Sequence, residues 1–256
     1  MDTVTDAELV HLIVEGGIAT ITLDSPHNRN ALSSQLVTEL TDRLRAAHDD
    51  ASARAVVLTH SGRTFCSGAD LSEATSGSMS GAASTLLMLI RAIIDLDKPV
   101  IAKIDGNARA GGLGLIAACD IVVAGPGCSF ALTEVRLGLA AAVISVALLP
   151  RIDARAASRY FLTGESFDSS DALRIGLVTV AAANVDEAVA AVAAQLLLGS
   201  PQGLAESKRL TTARVREAID REGDRMVELS ARLFASEEAH EGMVAFLERR
   251  PPRWAR

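Results

Sequence analysis

The sequence has few aromatic residues, few cysteines and fewer basic than acidic side chains. Six Phe, one Tyr and one Trp make up 3% of its 256 residues, too few to supply platforms that stack nucleic-acid bases. The formal net charge of −7 also disfavours nucleic acid as a partner, because such proteins usually carry basic surfaces. The three cysteines cannot all pair with one another and lack C-x-x-C spacing, so we expect buried thiols in a reducing compartment.

Targeting and membrane signals are also missing. The N-terminal MDTVTDAELV is acidic and has neither the basic nor the apolar region of a signal peptide. The longest charge-free apolar stretch, residues 137–149, is shorter than the roughly 20 residues that cross a bilayer. We therefore expect a cytoplasmic protein that does not bind membranes.

Several common catalytic and cofactor motifs are not found. No G-x-G-x-x-G follows a predicted strand and no P-loop occurs, which disfavours dinucleotide and nucleotide-phosphate binding. G-x-S-x-G is missing, so Ser67 is not a nucleophile of that type. The five histidines lie far apart without H-E-x-x-H, which disfavours a metal site.

What is present is an alternation of predicted strands and helices. A hairpin is expected over 9–14 and 18–23 with its turn at Gly16-Gly17, and Ser33 or Ser34 should cap a helix to residue 47. Further strands are predicted at 55–59, 100–104, 120–124 and 129–132, a helix at 86–96, and loops at 61–69, 75–83 (mobile) and 106–114. From residue 151 onward the pattern is mostly helical, with candidates at 186–198, 204–219, 221–234 and 237–248. This alternation predicts a layered α/β core.

Two loops of small residues follow predicted strands. They are Phe65-Cys66-Ser67-Gly68-Ala69-Asp70 and Ala108-Arg109-Ala110-Gly111-Gly112. Small residues allow the backbone to approach a ligand, and two N–H groups that converge on one oxygen form an oxyanion hole. Each such donor contributes about 10²–10³ in rate. Tight turns and close packing alone are the alternative explanation.

Glu134 is the acidic residue between Asp120 and Asp153. Burial in so apolar a neighbourhood would raise its pKa toward the range useful for proton transfer. A surface ion pair with Arg136 or Arg109 is the alternative.

Four segments together carry a family resemblance: FCSGADL (65–71), KPVIAKIDGNARAGGLGLIAACDIVVAG (98–125), FALTEVRLGL (130–139) and LTGESFD…GLV (162–178). With SPHNRNALS (25–33) and EGMVAFLERRPPRW (241–254), they resemble the enoyl-CoA hydratase/isomerase (crotonase) family over nearly the whole chain. The stretch GLGLIAACDIVVAG…EVRLGLAAAVIS is similar in particular to the bacterial methylglutaconyl-CoA hydratase branch.

The resemblance implies an α/β, crotonase-like superhelix of repeated ββα units over residues 1–198. Residues 199–256 would form a helical region for trimerisation and active-site capping, in a homotrimer or a dimer of trimers. The substrate would be an acyl-CoA thioester, and no cofactor is implied because coenzyme A is part of the substrate.

The resemblance also implies site residues. The backbone N–H groups of Ser67 and Gly111 would form the oxyanion hole, and Glu134 would be the general acid/base. A second family glutamate falls at Gly114, so Glu134 would act alone or with help from Asp70, Glu73 or Glu165. The residues expected to contact substrate are Arg29, Ala31, Gly68, Ala69, Asp70, Leu71, Arg109, Gly112, Gly114 and Phe246.

Four activities remain open at this point. Hydration of a 2-enoyl-CoA, with 3-methylglutaconyl-CoA as one candidate, is preferred over Δ3,Δ2-enoyl-CoA isomerisation, which needs one carboxylate. Hydrolysis or C–C cleavage, and thioester binding without catalysis, are the others. Arg29, Lys208 and Arg209 are candidates to offset the phosphates of coenzyme A. Arg109 would pair with a protein acid, face solvent, or receive the distal carboxylate of a substrate.

Overall fold

The computed structural model describes residues 7–70, 73 and 81–255. Its strands are β1 (Val10–Glu15), β2 (Ile18–Leu23), β3 (Ala55–His60), β4 (Thr64–Cys66), β5 (Val100–Ile104), β6 (Asn107–Arg109), β7 (Ile121–Ala124), β8 (Ser129–Ala131), β9 (Phe167–Asp168) and β10 (Val180–Ala181). Its helices are α1 (Ser34–Asp49), α2 (Ala82–Asp95), α3 (Gly111–Ala118), α4 (Ala142–Leu148), α5 (Ala154–Thr163), α6 (Ser169–Arg174), α7 (Val185–Leu198), α8 (Pro201–Phe234) and α9 (Glu237–Leu247). Two 3-10 helices span Pro26–Asn28 and Thr133–Leu137.

The strands form two sheets. The large sheet has the order β1-β2-β3-β5-β7-β10, and the small sheet has the order β4-β6-β8-β9. Strands β3, β5 and β7 of the large sheet are parallel neighbours and nearly continuous apolar runs, as expected for strands covered on both faces. Each is followed by a strand of the small sheet and then by a helix, which confirms the predicted ββα repeat.

The small sheet determines where the site lies. Its strands β4, β6 and β8 pair in parallel, so their carboxyl ends meet at one edge. Three segments therefore arrive side by side: residues 67–70, residues 110–112 and the 3-10 helix Thr133–Leu137.

Several element predictions need correction. The segments predicted as loops at 61–69 and 106–114 contain β4 and β6, and α3 already begins at Gly111. These strands have only three residues, too few for a recognisable alternation of apolar and polar residues. Two predicted helices at 204–219 and 221–234 form the single helix α8. The segment predicted to be mobile lies mostly outside the described residues, and its end begins α2.

Helix α8 is anchored to the core by a buried ion pair. The Nζ of Lys208 lies 2.8 Å from Oδ2 of Asp120, and the two side chains are only 2% and 12% exposed. The same ammonium group donates hydrogen bonds to the carbonyl oxygens of Ile93 (2.9 Å) and Lys98 (3.0 Å). Lys208 is thus a structural residue, and its predicted role near a phosphate is wrong.

None of the described helices is, taken singly, long and apolar enough to cross a membrane. The consecutive helices α7 and α8 pass that test only as a pair, and the chain bends by 114° between them.

Candidate active site

A cavity of about 710 Å³ lies at the edge of the small sheet where β4, β6 and β8 end. Its walls come from the segments after these strands, from the start of α4 and from the end of α9. Nine predicted site residues line it: Arg29, Ala31, Ser67, Ala69, Asp70, Arg109, Gly111, Glu134 and Phe246. Leu71 lies outside the described residues.

The two small-residue loops lie in close contact at Gly68. A Cβ atom on Gly68, whose φ is +91°, would lie 2.8 Å from Cβ of Ala110 and 3.3 Å from the backbone nitrogen of Gly111. A side chain at position 68 would therefore push the loops apart. Gly68 is not among the described residues that line the cavity; its lack of a side chain permits the close approach of the two loops.

The N–H of Gly111 is free to bind a ligand. Gly111 is the first residue of α3, and the first N–H groups of a helix have no intrahelical acceptor. Within the described part of the chain this N–H has no acceptor within hydrogen-bonding distance. Gly111 also lines the cavity, which is consistent with the predicted role.

The structure changes the assignment of the second donor. The N–H of Ser67 donates to the carbonyl oxygen of Arg29 at 3.2 Å, so it is already committed. The N–H of Ala69, two residues later, meets no acceptor among the residues described, and Ala69 lines the cavity. Ala69 therefore fits the role of the second donor better than Ser67 does.

Asn30 holds the segment that accepts the Ser67 N–H, and sequence reasoning missed it. Asn30 is fully buried and has a φ of +52°, a left-handed conformation that asparagine adopts more readily than most residues. Its Oδ1 accepts the N–H of Ser25 at 2.6 Å, and its Nδ2 donates to the carbonyls of Ser61 (3.2 Å) and Thr64 (2.7 Å). These bonds fix the turn that presents the carbonyl of Arg29.

Glu134 lies in the 3-10 helix Thr133–Leu137 and lines the cavity. Its Oε2 atom is buried and has no hydrogen-bond partner among the described residues. Burial raises the pKa of Glu134 to about 7, because the charged form loses solvation. Neither Arg136 nor Arg109 forms an ion pair with it in the described structure, so the predicted surface-pair alternative is wrong.

Gly114 and Gly112 do not belong to the described cavity lining, contrary to prediction. A Cβ atom on Gly114 would lie 2.5 Å from Cγ2 of Ile144, and Ile144 itself lines the cavity. The position implied for a second carboxylate is thus covered by an aliphatic side chain from α4. A Cβ atom on Gly112 would lie 2.7 Å from the carbonyl oxygen of Cys66, so Gly112 permits α3 to pack on β4.

Of the three predicted helper acids, Asp70 lines the cavity. Asn28 donates its Nδ2 to Oδ2 of Asp70 at 3.4 Å. Oε1 of Glu165 lies 2.6 Å from Nε of Arg159, and Glu165 is not among the described residues that line the cavity. The carboxylate of Glu73 accepts the N–H and hydroxyl of Ser34, at the start of α1.

Cationic side chains near the cavity are Arg29, Arg109 and Arg136. Arg209 pairs with Asp97 and Glu206 and is not part of the described lining, so its predicted role near a phosphate finds no support there. No group of three or more described His, Cys, Asp or Glu side chains is arranged to hold a metal ion.

Comparison with known proteins places this geometry in a family. Residues 14–256 match the family model described as enoyl-CoA hydratase/isomerase. The chain is 32% identical over 239 residues to 2,3-dehydroadipyl-CoA hydratase of Escherichia coli, which covers 92% of this chain and 94% of that protein. It is 31% identical over 259 residues to carnitinyl-CoA dehydratase of Proteus mirabilis, with coverage of 97% and 98%. The crystal structure of an enoyl-CoA hydratase from Mycobacterium avium superposes with a TM-score of 0.91 at 53% identity, covering 99% of this chain and 100% of that one.

Proposed function

The chain belongs to the enoyl-CoA hydratase/isomerase family, and on that premise we propose that it adds water across the 2,3 double bond of a 2-enoyl-CoA thioester. The observation that carries the proposal is the buried carboxyl group of Glu134, with its pKa of about 7. It lines the same cavity as Ala69 and Gly111, whose N–H groups are uncommitted in the described structure.

The N–H groups of Ala69 and Gly111 would bind the thioester oxygen. When water adds at C3, negative charge moves through C2 to that oxygen and forms an enolate. The two donors stabilise this charge more strongly than the starting carbonyl. Gly111 adds the positive end of the α3 dipole to its hydrogen bond.

Glu134 would then transfer one proton of the water molecule to C2, while the other proton stays on the new C3 hydroxyl group. As a carboxylate it takes one proton while the water oxygen forms a bond to C3. The resulting carboxylic acid gives that proton to C2, which discharges the enolate and restores the carboxylate. A pKa near the working pH suits a group that serves as base and then as acid.

Isomerisation of a 3-enoyl-CoA to the 2-enoyl-CoA is the second candidate. The observation in its favour is Ile144, which covers the position implied for a second carboxylate. One carboxylate is enough for isomerisation, since Glu134 could remove a proton from C2 and return it to C4. Hydrolysis, C–C cleavage and binding without turnover are further alternatives, without a specific structural observation in their favour.

Two assays separate these activities. With crotonyl-CoA, a hydratase decreases the absorbance of the conjugated thioester; with a 3-enoyl-CoA, an isomerase increases it. We expect the first change in the wild type and its loss in Glu134→Gln. Absence of both changes, with retained thioester binding, would identify a non-catalytic binder and refute the proposal.

For the acyl group, 3-methylglutaconyl-CoA is the specific candidate. It rests on the similarity of residues 112–145 to the methylglutaconyl-CoA hydratase branch. The relative named 2,3-dehydroadipyl-CoA hydratase shows by its name that a relative acts on a dicarboxylic thioester. A comparison of kcat/KM for 3-methylglutaconyl-CoA and crotonyl-CoA tests this candidate.

We further propose a cytoplasmic homotrimer or dimer of trimers. Exposed apolar side chains on α8 and α9 support an assembly, with Leu210 79%, Phe246 51% and Leu247 53% exposed. Light scattering should give three or six times the chain mass of 26.8 kDa. A monomer at micromolar concentration would contradict this.

A further inference from the structure

Arg109 is a half-buried cation in the wall of the cavity. Its Nη1 donates to the carbonyl oxygens of Ala108 (2.8 Å) and Ser129, and its Nη2 donates to Oγ of Ser129 (3.0 Å). No carboxylate among the described residues forms an ion pair with it. Burial of a charge without an opposite charge is costly, and burial lowers the pKa of Arg109.

The hydrogen bonds of Arg109 leave one edge of its guanidinium group available. The group has five N–H donors. Nη1 uses both of its protons and Nη2 uses one. The Nε–H and one Nη2–H remain, and these two parallel donors form the edge that binds the two oxygens of a carboxylate.

We propose that Arg109 binds the distal carboxylate of a dicarboxylic acyl-CoA thioester. This rests on the proposed function in one respect, namely that the acyl group enters this cavity. Arg109 and Gly111 line the same cavity. A thioester bound at Gly111 keeps its short acyl chain in that cavity, whereas the phosphates of coenzyme A lie beyond the pantetheine arm.

The negative net charge of the chain favours a local cation at the binding site of such a substrate. At −7, the protein repels an anionic acyl group unless a nearby positive charge offsets the field. Ser129 holds the guanidinium through two bonds, so the cation is positioned before the substrate arrives. Preorganisation of this kind lowers the cost of binding.

The test compares two thioesters that differ only at the end of the acyl chain. Glutaryl-CoA and valeryl-CoA both have five acyl carbons, but only the first has a terminal carboxylate; neither has a double bond to react. Calorimetry should show that the wild type binds glutaryl-CoA more tightly. In Arg109→Met we expect about a tenfold or larger loss for glutaryl-CoA, the scale of a charge-assisted hydrogen bond, and less than about a threefold loss for valeryl-CoA.

Two further variants serve as controls. Arg109→Lys keeps the charge but loses the paired donors, and Ser129→Ala keeps the arginine but removes one anchor; both should give smaller losses that remain selective for glutaryl-CoA. Thermal unfolding establishes that each variant is folded. If Arg109→Met does not fold, the selectivity of Arg109→Lys and Ser129→Ala tests the proposal.

Equal losses of affinity for both thioesters would mean that Arg109 binds a phosphate of coenzyme A or supports the loop at residues 108–112. An unchanged affinity for both would leave it with no ligand. Either result overturns the inference. A failure of the proposed function is distinguishable: the protein would not turn over crotonyl-CoA, yet it would still prefer glutaryl-CoA through Arg109.

Discussion

Ile144 on α4 occupies the space that a side chain at Gly114 on α3 would need. The Cγ2 and Cβ atoms of Ile144 would lie 2.5 Å and 3.0 Å from a Cβ atom on Gly114. Rotation about the Cα–Cβ bond of Ile144 would move Cγ2 but not Cβ, so the 3.0 Å contact persists in every rotamer. The absence of a side chain at Gly114 therefore leaves the room that Ile144 occupies.

Gly114→Ala should therefore destabilise the protein, although alanine normally favours a helix by about 1 kcal/mol over glycine. Overpacking costs about 1–3 kcal/mol, so we expect a net loss of about 1 kcal/mol in urea unfolding. In an Ile144→Ala background, which removes the Cγ2 contact and keeps the Cβ contact, the same substitution should cost less. The same loss in both backgrounds would mean that the two residues are not coupled.

Glu134→Gln should reduce kcat by about 10²–10⁴-fold, because the shape is kept and the proton carrier is lost. Thioester affinity should change little. In the wild type, kcat/KM should rise with pH through about 7, since the base form is required. Retention of more than about a tenth of the wild-type kcat would show that Glu134 is not the catalytic acid–base group.

The raised pKa of Glu134 also makes folding stability depend on pH. The native state binds the proton of the Glu134 carboxyl group more tightly than the unfolded chain does. The contribution of this group to the free energy of unfolding is therefore complete below pH 4.5 and is lost as pH rises through about 7. At 1.36 kcal/mol per pKa unit, the loss approaches about 3 kcal/mol. Chemical unfolding of the wild type and of Glu134→Gln at pH 5 and pH 8 measures this loss. The free energy of unfolding of the wild type, relative to that of the variant, should be lower at pH 8 than at pH 5.

Asn30→Asp should weaken both stability and turnover. The substitution removes the Nδ2 donor and places a carboxylate oxygen beside the carbonyls of Ser61 and Thr64. Loss of two buried hydrogen bonds costs about 2–3 kcal/mol. Because Asn30 positions the carbonyl of Arg29, which binds the Ser67 loop, kcat should fall more than KM rises. A purely structural residue would lower stability and leave kcat of the folded fraction unchanged.

Lys208→Met should cost about 3–5 kcal/mol, because it leaves Asp120 buried without its cation. Arg209→Met is the matched control one residue along α8. The ion pairs of Arg209 are about half exposed, and such pairs contribute about 1 kcal/mol or less. Similar unfolding free energies for the two variants would mean that the buried pair does not anchor α8.

The sequence predicted the parts of the site that depend on local patterns. Glu134 stands alone among apolar residues and could be recognised along the chain. Gly111 came from the family resemblance, because the sequence predicted a loop at 106–114 where α3 begins. The choice between Ser67 and Ala69 could not be predicted from local patterns, because it depends on a hydrogen bond from Ser67 to Arg29. The burial of Lys208 could not be predicted from the sequence either, since its partner Asp120 lies in a distant segment.

The small sheet also limits how the chain can change in length. β4, β6 and β8 have three residues each, and each leads directly into a segment of the site. Inserting or deleting one residue in such a strand shifts the downstream segment by about 3.3 Å and turns buried side chains outward. Insertions and deletions should therefore be tolerated least in these strands, even where single substitutions are accepted.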